Sequence, residues 1–223
     1  MTTAEPVVVG IGRTEFTLAS GRTTLALAAE AARAALADAG LSSDEVDGIG
    51  EFGLNDTAVA LSLADALGVE ELSWCLDLQG GGNALMTLVA QAAAALQAGL
   101  CTTAVLYRSM NGRSGRRLGE AATAAATIFR EAEFDMPQGY VVPPQYMAMW
   151  ARRHQHVYGS TCEDLGRIAI TERAHAAANP HAIARQPITM DDYLDGRFIN
   201  EPLRVYDCAF EVDGAVALVL TTA

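Results

Sequence analysis

Between Leu78 and Tyr107 there is not one charged residue, and a stretch of that length without charge has to be buried. Its helix-like part, Asn83 to Ala98, is about 16 residues, short of the roughly 20 that a membrane-spanning helix needs. The run also carries four glycines, Gln79, Asn83, Gln91 and Gln97, so it reads as a core helix and no membrane span is expected. An ordinary surface helix shows an apolar stripe and a charged face. This one shows no charged face and should be covered on both sides, by a second layer of this chain or by a surface of another chain. Ala92 to Ala95 are small enough for close helix packing.

The helix is entered through Gly80-Gly81-Gly82, which follow the apolar strand-like segment Trp74 to Leu78. Adjacent glycines admit positive φ and a close approach of backbone to ligand, the geometry of a strand-to-helix elbow. Such an elbow normally displays Ser or Cys, whereas here Gln79 and Asn83 flank the glycines. A tight turn between two core elements accounts for the same residues, and both readings stand. Gln79, Gly80, Gly81, Gly82 and Asn83 are the candidate substrate-binding residues. Asn83, Thr87 and Gln91 recur every four residues and form one polar line along the helix, either lining a pocket or satisfying polar groups of a facing layer.

The 223 residues are 51% hydrophobic, ample for a core. A net charge of -12 and a pI near 4.6 argue against nucleic acid as a partner, because phosphate backbones require clustered cations. An anionic ligand would need a local basic patch. Cys75, Cys101, Cys162 and Cys208 show neither CxxC nor metal spacing, and no secretory leader is read before Pro6. Reduced core thiols and a cytoplasmic location are therefore expected. His154 and His156 are two apart and point to different helix faces, so no shared metal is expected; His175 and His181 flank Asn179-Pro180 and read as surface residues.

The remaining segments alternate. Pro6 to Ile11 reads as a strand and Thr23 to Ala39 as a helix with Thr23 or Thr24 as cap and Gly40 as stop. Val46 to Phe52 is a strand, Thr57 to Leu67 a helix ending at Gly68, and Ala104 to Tyr107 a strand after the uncharged helix. This order implies an α/β fold with a mixed, mostly parallel sheet and helices on both faces. Ser109 to Val142 is too long for a structureless connection and reads as a functional excursion, followed by helices over Gln145–Val157 and Cys162–Ala178 and a short one near Met190–Leu194. Ala215 to Thr221 is a final apolar strand, and a stop just beyond it suggests a boundary inside a larger architecture. Although Gly10-Ile11-Gly12 follows a strand, the third glycine of a dinucleotide fingerprint is replaced by Glu15 and the helix does not open at once.

The segments Gly10-Ile11-Gly12-Arg13-Thr14-Glu15-Phe16, Asp38-Ala39-Gly40-Leu41, Val46-Asp47-Gly48-Ile49, Trp150-Ala151-Arg152-Arg153 with Tyr158-Gly159, and Asp207-Cys208 with Asp213-Gly214-Ala215, taken with the glycine turn, resemble the thiolase superfamily. More narrowly they are similar to its lipid-transfer-protein (sterol carrier thiolase-like) branch, over nearly the whole chain. The resemblance implies that residues 1–223 are a thiolase-like amino-terminal domain with an excursion over 109–200, one half of an α-β-α-β-α layered sandwich. In it the uncharged helix would pack against its counterpart from a carboxyl-terminal half. It also implies dimerisation through the strand Ala104 to Tyr107 as a sheet edge.

The family's nucleophilic cysteine would fall at Gln79, or at Leu78 after a one-residue slip. Neither can be acylated, so covalent thiolase chemistry is not expected. The branch contains a subgroup without this cysteine that resembles a retro-aldolase of β-hydroxyacyl-CoA sterol side chains, working with a zinc-ribbon and OB-fold partner. On that resemblance the substrate is a coenzyme A thioester, no cofactor is covalently bound, and the catalytic side chains are unassigned because they belong to the other half. Arg113, Arg116 and Arg117, with Arg108, are candidates for the CoA phosphates; the alternative is a solvated face pairing with Glu120 and Glu131. A non-catalytic acyl-CoA-binding or assembly subunit is the second functional reading, and a thiolase-type acyltransferase fragment, disfavoured by Gln79, is the third.

Overall fold

The computed structural model describes residues 5–54, 56–115 and 131–223, with the backbone alone for Glu131 and Ala132. The chain divides into two compact units, Met1–Arg116 with Val212–Ala223, and Arg117–Glu211.

In the first unit β1 (Pro6–Arg13) leads to α1 (Thr24–Ala39), β2 (Gly48–Gly53), α2 (Ala60–Leu67), β3 (Trp74–Gln79), α3 (Ala84–Gln97) and β4 (Thr103–Asn111). The final strand, β7 (Asp213–Thr222), closes the same sheet in the order β1-β7-β4-β2-β3. β2 is parallel to β3 and β4, and β7 is antiparallel to both β1 and β4. Four strands therefore run one way and β7 runs against them, which makes the sheet mixed and mostly parallel as expected.

Local chemistry sets the helix ends. The Thr23 hydroxyl accepts from the amide of Ala26, and Gly40 closes α1 at φ 69°, a left-handed conformation that favours glycine. Gly68 closes α2 at φ 76° in the same way. Alternation along the strands sends side chains to opposite faces. Ile49, Val105, Tyr107, Ala215, Ala217 and Val219 pack under α1 and α2. Leu106 and Leu220, with the half-buried Phe52, Leu76, Leu78 and Leu218, pack under α3.

Gly10 and Gly12 have a steric role. A Cβ at Gly12 would lie 2.1 Å from the Ala31 carbonyl oxygen and 2.3 Å from the Ala35 nitrogen, and one at Gly10 would lie 2.1 Å from the Ala35 oxygen. The alanine-rich α1 thus seats directly on β1, and the pair of glycines that invites a dinucleotide reading is a helix-docking surface.

Asp213 opens β7 and is fully buried. Its carboxylate accepts from the Ser20 amide and hydroxyl (2.9 and 2.8 Å), from the amides of Arg113 and Ser114 (2.9 and 3.0 Å) and from the Ser114 hydroxyl. Burial alone would raise its pKa, but the bonds from Ser114 and Ser20 more than reverse this and hold it well below the usual carboxylate range.

One expectation is corrected. The strand expected as the dimer edge, Ala104 to Tyr107, lies inside β4 between β7 and β2; the edges are β1 and β3. The sequence carries no sign of this because β7 arrives from the far end of the chain. Among the described residues the uncharged helix is covered on one side, and the expected cover of its other face would come from another surface. Met86 is 69% exposed, and Asn83, Thr87 and Gln91 are exposed as well.

The second unit contains α4 (Glu131–Asp135), α5 (Pro143–Tyr158), α6 (Cys162–Ala178), α7 (Met190–Asp195) and a small antiparallel pair, β5 (Phe198–Asn200) and β6 (Leu203–Arg204). The small pair was not foreseen. Thr161 with Asp164 and Thr189 with Asp192 form capping boxes for α6 and α7. Buried Tyr193 donates to Asp207 at 2.9 Å. Among the described residues no helix is long and apolar enough to cross a membrane.

Replacing Gly12 by Ala is expected to push α1 from the sheet and lower stability by about 1–3 kcal/mol, read from urea unfolding. Because the Asp213 pKa is depressed on folding, its contribution is present above the ordinary value of 3.8 and lost as pH falls further. An Asp213→Asn variant should therefore lose stability at neutral pH and show a shallower acid dependence than the parent below that value.

Candidate functional site

In a sheet with parallel strands, ligands bind beyond the carboxyl ends of those strands. Here the ends of β2 and β3 converge on the glycine turn. The Gly80 amide donates to the Gly53 carbonyl at 3.0 Å, and the Ala84 amide to the Gly81 carbonyl at 2.9 Å. Gln79, the last residue of β3, is exposed. The structure thus brings Gln79, Gly80, Gly81, Gly82 and Asn83 together at the start of α3.

Gly80 serves for closeness, and none of the three serves for handedness. None of Gly80, Gly81 and Gly82 has positive φ, which corrects the elbow argument. A Cβ at Gly80 would sit 2.8 Å from the Cβ of Ala84, whereas one at Gly82 would meet nothing within 4 Å. Asn83 occupies the cap position but its side chain makes no capping bond. Among the described residues the amides of Gly81 and Gly82 donate to no protein acceptor. They lie at the positive end of the α3 dipole, an arrangement that suits a carbonyl or thioester oxygen.

Beside the turn is an ion pair that sequence reasoning did not foresee. Arg108, on β4, pairs with Asp56 through both nitrogens at 2.7 Å and lies 5.3 Å from the centre of the Phe52 ring. The side chains are 16% and 9% exposed. Gly53 makes room for them, since a Cβ there would fall 2.8 Å from an Arg108 nitrogen. The pair and the backbone bonds of Asp56 outweigh burial and hold its pKa below the ordinary value. Arg108 is therefore committed to the protein and is not part of a free phosphate patch. Arg113 is exposed and its backbone is anchored to Asp213; Arg116 and Arg117 lie outside the described residues, as does Glu120.

Glu51, on β2 opposite Asp77 of β3, is buried beneath the same strand ends. Burial, then the Asp77 charge, pushes its pKa up to about 7. Tyr107 donates to the Ala58 carbonyl at 2.6 Å, and burial followed by Glu51 drives its pKa well above the phenol range. The available signal was a lone acid within the strand Gly48–Gly53.

Burial makes the thiols of Cys75, Cys101 and Cys208 less acidic than a free cysteine. Cys101 is buried and pushed up to about 11 by burial and then Asp47. Cys75 is exposed on β3, against the expectation of a core thiol, because its neighbour Asp77 and the edge position leave that face open; its pKa is also raised, by desolvation and then Asp77. Cys162 and Cys208 are half-buried. No group of three potential ligands that could hold a metal is present among the described residues. His154 contacts the Ser160 hydroxyl at 2.8 Å instead.

No protein-family model matches the chain. It is 42% identical over its whole length to a 17-hydroxy-3-oxo-4-pregnene-20-carboxyl-CoA lyase of Mycobacterium tuberculosis, covering 59% of that protein. It is 41% identical to a steroid side-chain-cleaving aldolase of Thermomonospora curvata, with 96% of this chain and 56% of that protein covered. The solved structure of an Ltp2-ChsH2(DUF35) aldolase superposes with a TM-score of 0.85 at 41% identity, covering 98% of this chain and 56% of that one. A monomeric SCP2-thiolase-like protein of Mycobacterium smegmatis shares the fold with a TM-score of 0.77 at 21% identity, covering 100% of this chain and 46% of that one.

The sheet, its helix layers and the strand-to-helix turn thus define a thiolase-like protein. Within that class the chain belongs to the lipid-transfer-protein branch, as a homologue of the steroid side-chain-cleaving aldolases. It spans somewhat more than half the length of the curated relatives it matches.

Asp56→Ala would leave the Arg108 guanidinium buried without its partner. A loss on the order of 3 kcal/mol is expected, with little dependence on salt because the pair is shielded from solvent. Urea titrations at low and high ionic strength measure both.

Proposed function

We propose that this chain is the amino-terminal half of a thiolase-like carbon–carbon lyase that cleaves a β-hydroxyacyl-CoA derived from a steroid side chain by a retro-aldol reaction. The observation that carries the reading is Gln79. It stands at the end of β3, in the position where the family resemblance expects a nucleophilic cysteine, in a chain 42% identical over its length to a lyase of such a thioester.

Retro-aldol cleavage requires no covalent enzyme intermediate. A base takes the β-hydroxyl proton, the β-carbon becomes a ketone, and the bond to the α-carbon breaks. The electron pair is held as the thioester enolate until that carbon is protonated. Amides of Gly81 and Gly82 at the α3 N-terminus support a role in holding the thioester oxygen, where charge develops. Gln79 and Asn83 would orient the acyl group, and Arg113, Arg116 and Arg117 would face the CoA phosphates. The acid and base would come from a carboxyl-terminal half.

A cytoplasmic assembly follows from this reading. The open face of α3, with Met86, and the exposed Val8, Ile11 and Val216 on the same side of the sheet support packing against a carboxyl-terminal thiolase half. The two-component name of the superposed aldolase supports a further heteromeric partner, which the family resemblance would make a zinc-ribbon OB-fold protein, and homodimerisation would use an edge strand. The same open face favours a second reading, an acyl-CoA-binding or assembly subunit without activity of its own.

In the complete assembly Gln79→Ala should retain appreciable lyase turnover with a raised KM, measured by release of the cleaved thioester. A dead variant, together with an acyl adduct trapped at position 79 in the parent, would sink the proposal. Turnover by this chain alone would overturn the assignment of the acid and base elsewhere. Tight binding of acyl-CoA with no cleavage in any assembly would favour the second reading.

A further inference from the structure

Glu51 is 2% exposed, and its Oε2 has no hydrogen-bond partner. Directly across the β2–β3 ladder stands Asp77, on the same face of the sheet. Asp77 also accepts from the amide of Ala60, the first residue of α2, at 2.7 Å. One proton between these carboxyls would join three elements, because Glu51 would donate to the group that caps α2.

The surrounding charges do not offer Glu51 another partner. Arg108 of β4 is committed to Asp56. Tyr107 of β4 turns its hydroxyl to the Ala58 carbonyl. Cys75 of β3 carries a thiol made less acidic by burial and by Asp77, and the only acid of α2, Asp65, is exposed. Two carboxylates on directly paired residues of neighbouring strands, one of them shielded from water, cannot both hold their charge without strong repulsion.

We propose that Glu51 and Asp77 share a proton and act as a latch that binds β2, β3 and the first turn of α2, opening when that proton is lost. The latch lies two residues before Gln79 and is coupled to the glycine turn by the Gly80–Gly53 hydrogen bond. Burial, and secondarily Asp77, moves the Glu51 carboxyl from 4.5 up to about 7, so the change falls near neutral pH. The folded state binds this proton more tightly than the unfolded state. Its stabilisation is therefore complete below 4.5 and is lost as pH rises towards about 7.

The test is urea unfolding of the full chain from pH 4.5 to 8, with Glu51→Gln and Asp77→Asn. In the parent this group should lower the folded-to-unfolded ratio by up to roughly tenfold per pH unit across the window. Glu51→Gln keeps a donor but cannot titrate, and its profile should lack that component. Asp77→Asn keeps an acceptor for the Ala60 amide but removes the charge, so the upper end of the window should move to lower pH. In the parent, hydrogen-exchange protection of the Gly80 amide should fall between pH 6 and 8, and in Glu51→Gln it should not. If Glu51→Gln does not fold, infrared spectra of the parent carrying carboxyl-labelled glutamate decide: a protonated carboxyl band at pH 6 that vanishes by pH 8 is expected. Identical pH profiles for parent and Glu51→Gln, an unmoved window in Asp77→Asn, or no protonated band would each overturn the latch.

Discussion

The first unit depends on the insertion of β7 between β1 and β4. Its ladders run from Arg13–Val216 to Pro6–Thr222 on one side and from Asn111–Asp213 to Thr103–Thr221 on the other. Without them β1, with α1 seated upon it, has no hydrogen bond to the β4-β2-β3 sheet. The closing strand comes from the far end of the sequence, after the whole second unit. The contact is therefore of very long range, and folding of the sheet must wait for it. Asp213 stands where that strand begins and gathers five donors from the segments near Ser20 and Ser114. One buried carboxylate thus fixes the entry of β7, the approach to α1 and the exit of β4.

Two kinds of closeness then shape the ligand end of the sheet. Glycines at 10 and 12 let a helix touch a strand, glycine at 53 admits an ion pair, and glycine at 80 lets the turn fold against Ala84. In each case the missing Cβ is used for space. Charges are arranged by pairing: Arg108 is neutralised by Asp56, whereas Glu51 faces another acid and retains its proton. The result is a turn with open amides and an exposed glutamine, supported from beneath by a charged but closely balanced group.

Much of this was legible in the chain. Thr23, Gly40, Gly68, Thr161 and Thr189 mark helix ends through local hydrogen bonds or backbone conformation that depend on neighbours in sequence. The charge-free run marked α3, and the turn before it marked the end of β3. What covers the outward face of α3 stayed open, because absence of charge says that a surface is meant to be covered without saying which chain covers it. Glu51 was passed over since its meaning comes from Asp77, which lies on another strand. Arg108 looked available for phosphate because Asp56 is far from it in sequence and reaches it only after β2 and β4 pair.

By itself the sequence determined the alternation of strands and helices, the absence of an acylatable residue at position 79, and the kinship that its ordered motifs carry. These rest on composition, periodicity and local capping, which are properties of short stretches. Only the tertiary structure decided that β4 is central and β3 an edge, that Gly10 and Gly12 are the seat of α1, and that Glu51 meets Asp77. The reason is that strand order and side-chain pairing depend on contacts between segments far apart in the chain, and no local pattern encodes which distant partner will arrive.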